Sequence, residues 1–512
     1  MGEPPTFCLL SGESVSIDPR LLDGRVASAR SQLAAALQLP LNRLDLVVDE
    51  QVVLKDDDPI PDTLGGKVIQ VCIQPDPLQG TLPDLLGCAW SELEILKEVD
   101  LQETGLEVLP DVFGEKLPRL RTLRLSQNRL QLLPRSFGEL RKLQALQAEG
   151  NLLSQLPDFS RMSSLMDLQL EENQLEALPE SIGSLSALQR LSLDFNRLRK
   201  LPEAFGQLRS LQKLRLVHNE LERLPQSFGG LIALKDLWLT GNQLQTLPDT
   251  FGGLTKLQQL RLGRNRLREL PESFGQLCSL KLLALEENHL ETLPSSVQQL
   301  TSLQVLNLDG NHFEEFPDCL GIKSLQKLWI GQNALWKLPE HCLYRMHALK
   351  ELSLKSNKLR ELPQSLGLLC SLEVLYLQDN ELEGLPASLE ELKQLRMLWL
   401  EDNRLSSLPW TCTQPTSLPA LQLVKLQKAV PYDAAPRLLE TLEQPLLRRA
   451  LQMEIDQVPV LRLGGASPSR RGTGGGLCGC LRARISGLRG EVMYGATDVH
   501  GTFCTFLFFA SQ

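Results

Sequence analysis

The chain has 512 residues, 42% of them apolar, and a formal net charge of −9. The apolar content is ample for a core, and the acidic balance excludes a general nucleic-acid footprint. Outside the repetitive middle, the longest apolar run is Phe503–Ala510, broken by Thr505 and too short to cross a bilayer.

The charge is uneven: residues 1–90 carry 6 basic and 13 acidic side chains, residues 457–512 carry 6 and 2. The opening MGEPPTFCLLSG has neither the basic start nor the apolar run of a secretory signal. Its Gly2 fits a crude acylation pattern, but the Glu-Pro-Pro that follows argues against it. The 11 cysteines are scattered and no N-x-S/T triplet occurs. This predicts a reducing, cytoplasmic location, with membrane association no more than peripheral.

Residues 1–76 do not repeat. Short strands are expected in Thr6–Gly12, in Ser14–Pro19, on both sides of Asp49-Glu50, and in Lys67–Gln74, where KVIQVCIQ alternates cleanly. Val26, Ala29, Leu33, Ala36 and Leu37 have helical spacing. Residues 77–95 read as a linker and an N-terminal cap.

From 96 to 427 one pattern dominates. Leu120–Pro134 reads LRTLRLSQNRLQLLP, or L-x-x-L-x-L-x-x-N-x-L-x-x-L-P. Its asparagine recurs as Asn128, Asn151, Asn173, Asn196, Asn219, Asn242, Asn265, Asn288, Asn311, Asn333, Asn357, Asn380 and Asn403, mostly 23 residues apart. A copy with Thr104 in that place precedes them, so about 14 repeats are expected. Leucines two apart share one strand face, and a stack of such strands builds a continuous core. Each asparagine amide can donate to and accept from backbone groups where the chain leaves the strand. The proline ends pairing and turns the chain outward, where Phe137-Gly138, Phe205-Gly206, Phe228-Gly229, Phe251-Gly252 and Phe274-Gly275 should wall the core. The fold class is therefore α/β: a leucine-rich-repeat solenoid with a parallel sheet on its concave face.

The residue between the strand leucines must face outward. That column includes Arg124, Arg215, Trp238, Arg261, Trp329, Tyr376 and Trp399, and it holds three of the chain's 6 tryptophans. Exposed aromatics cost solubility, and Trp, Tyr and Arg are enriched in interface hot spots. These seven residues are the expected partner-binding side chains.

Leu418, Leu421, Leu423 and Leu426 read as a last degenerate turn, with Leu426 in the asparagine place. Residues 428–460 read as a helical cap interrupted at Pro445, and 461–512 as a Gly/Arg/Cys-containing flexible tail.

The 23-residue length and the segment LPDTFGGLTKL (Leu247–Leu257) resemble the intracellular repeat group that includes scribble, erbin and the Ras-group repeat proteins. The strand and helix order of residues 1–76 is similar to ubiquitin and its β-grasp relatives. It ends in Gln74-Pro75-Asp76-Pro77 rather than a free Gly-Gly tail, which favours docking over conjugation. The resemblance implies a non-enzymatic scaffold or adaptor in signal transduction. A Ras-like small GTPase, or a phosphatase or kinase complex, is the implied partner.

No phosphate-binding loop, kinase set, zinc-protease motif or nucleophile elbow appears. No catalytic residue, metal or cofactor is therefore expected. Cys478-Gly-Cys480 offers two thiolates where zinc wants about four ligands. A ubiquitin-pathway adaptor, or a ligase using Cys478, Cys480 or Cys504, is the alternative. A pathogen-sensing receptor is weaker, since no nucleotide-binding domain accompanies the repeats.

Overall fold

Leucine spacing sets the architecture one strand at a time. In the strand Thr122–Arg124, Leu123 is fully buried while Thr122 and Arg124 are half-buried on the other face. Leu125, one step beyond, points inward again. Each buried leucine contributes about 2 kcal/mol of transfer free energy, but only if a neighbouring repeat covers it.

The structure is a computed structural model, and it describes residues 7–9, 14–15, 44–48, 52–53, 69–73, 86–87, 89–406 and 418–426. The chain divides into two compact units, residues 1–333 and 334–512.

The first unit begins with β1 (Phe7–Leu9), β2 (Ser14–Val15), β3 (Leu44–Val48), β4 (Val52–Val53) and β5 (Ile69–Ile73). They form one sheet in the order β2-β1-β5-β3-β4. β1 and β5 run parallel and the remaining pairs antiparallel. The helix expected over 26–39 lies outside the described residues.

Its repeats begin after a short helix, Trp90–Leu93, in which the Glu92 carboxylate accepts the Ala89 N–H at 2.9 Å. Among the described residues, eleven three-residue strands follow, from Glu98–Asp100 to Lys327–Trp329. They are parallel and paired repeat to repeat, as in Leu191↔Leu214↔Leu237↔Leu260.

The asparagines sit where each strand ends. Asn151 Oδ1 accepts the Leu130 N–H at 3.0 Å, and its Nδ2 donates to the carbonyls of Leu125 (2.9 Å) and Ala148 (3.2 Å). The same three contacts recur at Asn242 and Asn265. Each asparagine thus pairs one backbone N–H and two carbonyls inside the wall. The residue just before the asparagine takes a left-handed conformation, whether it is Gly241 (φ 73°), Phe195 (φ 55°) or His218 (φ 52°).

On the opposite wall the chain makes five-residue 3-10 turns such as Glu203–Gln207, each entered through a proline. Phe205, Phe228, Phe251 and Phe274 are fully buried there. They stack with centroids 6.0–6.2 Å apart and rings within 4° of parallel. The following glycine is required by contact: a Cβ at Gly206 would lie 2.1 Å from the Ser227 carbonyl oxygen.

Repeat length varies only on this wall. Asn151 and Asn173 are 22 residues apart. No 3-10 turn forms between them, and buried Phe159 and Met162 fill the wall instead. Between Asn311 and Asn333 the turn shrinks to Asp318–Leu320. In both repeats the strand register is kept.

Among the described residues, the second unit carries four parallel strands, Glu351–Ser353, Val374–Tyr376, Met397–Trp399 and Leu423–Lys425. The last one corrects the sequence reading. Leu398 pairs with Val424, so the inward residues are Leu421, Val424 and Leu426, and Leu423 faces outward half-buried. Leu426 holds the second strand-leucine position, not the asparagine place. Without an asparagine to mark the turn, the leucine spacing alone allowed a slipped register. The helical cap over 428–460 and the tail over 461–512 lie outside the described residues.

Candidate protein-interaction face

The outward positions of the strands form columns, because the parallel register sets equivalent residues of successive repeats side by side. In residues 1–333, Arg215, Trp238 and Arg261 are consecutive in one column. Strands roughly 4.8 Å apart bring flat side chains into stacking range. The Arg215 guanidinium lies 4.5 Å and that of Arg261 4.7 Å from the Trp238 ring centre, so the indole is held between two cations. Each such contact is worth about 0.5–1 kcal/mol at an exposed site.

Arg215 is itself anchored. Its Nε donates to Asp194 Oδ2 at 2.7 Å, and Nη2 lies 2.6 Å from the same oxygen. The Asp194 side chain is only 2% exposed, and its other oxygen accepts the Val217 N–H at 2.7 Å. Beside this group Phe195 stacks on His218 with centroids 4.9 Å apart, and Phe195 remains 53% exposed.

Trp329 is half-buried in the same unit, with the Lys327 ammonium 5.7 Å from its ring. Arg124 pairs with Asp100 at 3.6 Å, away from any aromatic of the column. In residues 334–512, Tyr376 and Trp399 meet at 5.6 Å with planes tilted by 41°. The Lys425 ammonium lies 4.4 Å from the Trp399 ring and 4.0 Å from Glu401. Each unit thus has its own aromatic cluster fixed by cations.

Two groups of residues went unnoticed in the sequence. Phe195 was one; its signal is an aromatic in the turn position that other repeats fill with polar residues or glycine. The other is a second outward column holding Glu149, Glu171, Asp194, Glu286 and Glu401. Burial raises the Glu171 carboxyl above the ordinary glutamate range, and the charges of Glu149 and Asp194 add to the effect. Burial also raises Glu286, against the pull of Arg261 and Arg264, and Glu401, against that of Lys425.

Among the described residues, no group of three or more His, Cys, Asp or Glu side chains is placed to hold a metal ion. No helix there is long and apolar enough to cross a membrane. What the face offers is aromatic surface, guanidinium groups and carboxylates.

Stacked strands with a recurring buried leucine and variable outward columns define a repeat protein. The leucine-rich repeat region model matches residues 153–265 and 249–337, and the leucine rich repeat model residues 95–153 and 323–382. No curated protein sequence matches the chain. A leucine-rich-repeat protein of Leptospira interrogans is 32% identical with a TM-score of 0.60, over 70% of this chain and 97% of that one. A plant peptide hormone receptor solved in complex with RGF2 is 28% identical, TM-score 0.51, over 65% of this chain and 63% of the receptor. The Arabidopsis receptor kinase HAESA, solved with the peptide hormone IDA and a co-receptor, is 26% identical, TM-score 0.50, over 70% and 66%. The chain belongs to the leucine-rich-repeat family. Proteins of this family generally mediate protein–protein interaction, and their fold is typically a non-enzymatic binding scaffold.

Proposed function

We propose that this protein is a non-enzymatic scaffold in intracellular signal transduction that docks partner proteins on the strand faces of its repeats. One observation carries the reading: large aromatic side chains occupy outward positions that a polar residue would fill at no cost to the core. Trp238 between Arg215 and Arg261, and Tyr376 with Trp399 and Lys425, are rigid amphipathic anchors of the type that dominates binding energy. Trp329 and Arg124 complete the set. The receptors solved with RGF2 and IDA support protein or peptide docking as the use of this architecture.

The 23-residue period and the L-P-x-x-F-G-x-L outer segment support membership of the Ras-group, scribble-like type. That makes a Ras-like small GTPase, or a phosphatase or kinase complex, the favoured partner. The strand order β2-β1-β5-β3-β4, with β1 and β5 parallel, supports a ubiquitin-like β-grasp module at the N-terminus. That module would dock a second partner. Among the described residues, Cys278 and Cys370 are unbridged, in keeping with a cytoplasmic setting.

Affinity capture from a cytoplasmic extract tests the reading, using the intact chain and a Trp238→Ala, Trp329→Ala, Trp399→Ala variant. Partners recovered by the intact chain should be lost by a variant with unchanged far-ultraviolet circular dichroism. Equal recovery by both proteins would remove the aromatic columns from the binding surface.

A further inference from the structure

Charge is distributed asymmetrically around the Phe195–His218 and Trp238 cluster. Glu149, Glu171 and Asp194 lie on one side of it, two residues beyond the ends of three successive strands. Backbone bonds hold them in register: the Gly150 N–H donates to the Glu171 carbonyl and the Glu172 N–H to the Asp194 carbonyl, both at 2.9 Å. Their spacing is therefore that of the sheet, roughly 4.8 Å.

Among the described residues, Arg215 on Asp194 is the cation ion-paired with this row. The nearby Asp167 already takes Arg190 through two nitrogens, at 3.1 and 2.6 Å. One carboxylate oxygen of Glu149 and one of Glu171 are buried with no hydrogen-bond donor. Acceptors in that state are costly. Burial raises the Glu171 carboxyl, the Ser192 hydroxyl opposes the rise, and the charges of Glu149 and Asp194 add to it.

Resting on the reading of this face as a docking surface, we propose that the row and the adjoining aromatics bind a cationic segment of a partner protein, with arginine as the recognised side chain. A guanidinium carries five donors in a flat fork and reaches two carboxylates a strand apart; the ammonium of lysine is a single compact charge. Phe195, more than half exposed, and the Trp238 ring provide apolar ground beside it for the segment's own apolar side chains. An acidic segment is repelled by the row.

The test uses the full chain and two fluorescently labelled synthetic peptides. In one, arginine alternates with leucine; in the other, glutamate replaces every arginine. Fluorescence anisotropy should show the arginine peptide binding, more weakly as salt is added, and the glutamate peptide not binding. The Glu149→Gln, Glu171→Gln double variant should weaken arginine-peptide binding roughly tenfold. Phe195→Gly, which keeps the backbone conformation, should weaken it several-fold. Equal binding of both peptides, or unchanged affinity in the double variant, overturns the inference. If the arginine peptide fails to bind while the tryptophan variant still loses its captured partners, this inference falls and the docking reading stands. If capture is indifferent to the tryptophans, the docking reading falls with it.

Discussion

The two sides of each strand obey different rules. Inward, every repeat from Leu123 to Leu398 places leucine in the same place, and the column on the opposite wall stays apolar throughout, as phenylalanine in many copies and as Ile182, Val297, Leu366 or Leu389 in others. Outward, the residue changes along the column: Arg215, Trp238, Arg261 and Ala284 follow one another. The difference teaches where selection for stacking ends. A buried position answers to the repeat above and below it, so leucine suits every strand centre and an apolar side chain every outer-wall site. An outward position answers to solvent and to whatever else arrives.

Breaking the uniform side should therefore cost most. Phe251→Ala removes a fully buried ring from the middle of a stack whose neighbours cannot close the gap. It should lower stability by about 4 kcal/mol in urea unfolding. Asn242→Ala strands the Leu221 N–H and the Leu216 and Leu239 carbonyls inside the wall, and should cost about 3 kcal/mol by the same measurement. If either change proved neutral, the inward columns would not be what sets the fold.

The outward side should behave oppositely. Trp238→Ala forfeits two cation–ring contacts at a half-buried site, so thermal unfolding should register about 1–2 kcal/mol, while partner capture falls. Glu171→Gln gives the smallest effect and a reversed sign. The Glu171 carboxyl is raised by burial, so the folded chain holds its proton to higher pH than the unfolded chain does. Stability then falls as pH climbs from the ordinary glutamate range to the raised value, and stays lowered above it. The glutamine variant should be more stable by about 0.5 kcal/mol at neutral pH, allowing for solvent screening, with the gain vanishing below the ordinary glutamate range. Chemical unfolding at several pH values would measure this.

The inward side was also the legible one. Leucine, asparagine and Phe-Gly announce themselves because physics forces them to recur, and a recurring letter can be read without coordinates. Where recurrence lapses, reading falters: Leu423 reads as an inward strand leucine, three residues out of register, because no asparagine marks the turn. The tryptophans of the outward column stood out since an alternating strand has no structural use for them there. Glu171 did not, because a glutamate in a repeat looks solvated until neighbouring strands show it half-buried among like charges. Nor could the column of letters tell that Arg215 is committed to Asp194, a contact that depends on side-chain rotamers and burial.

Length variation on the phenylalanine wall has a practical corollary. The 22-residue repeats at Asn173 and Asn333 show that nature has already trimmed the chain there without disturbing strand pairing. A reporter group, an affinity handle or a short foreign loop grafted near Asp158–Ser160 would sit where the wall already tolerates irregularity. Such a tagged protein would keep its strand faces as they are, free for measurement.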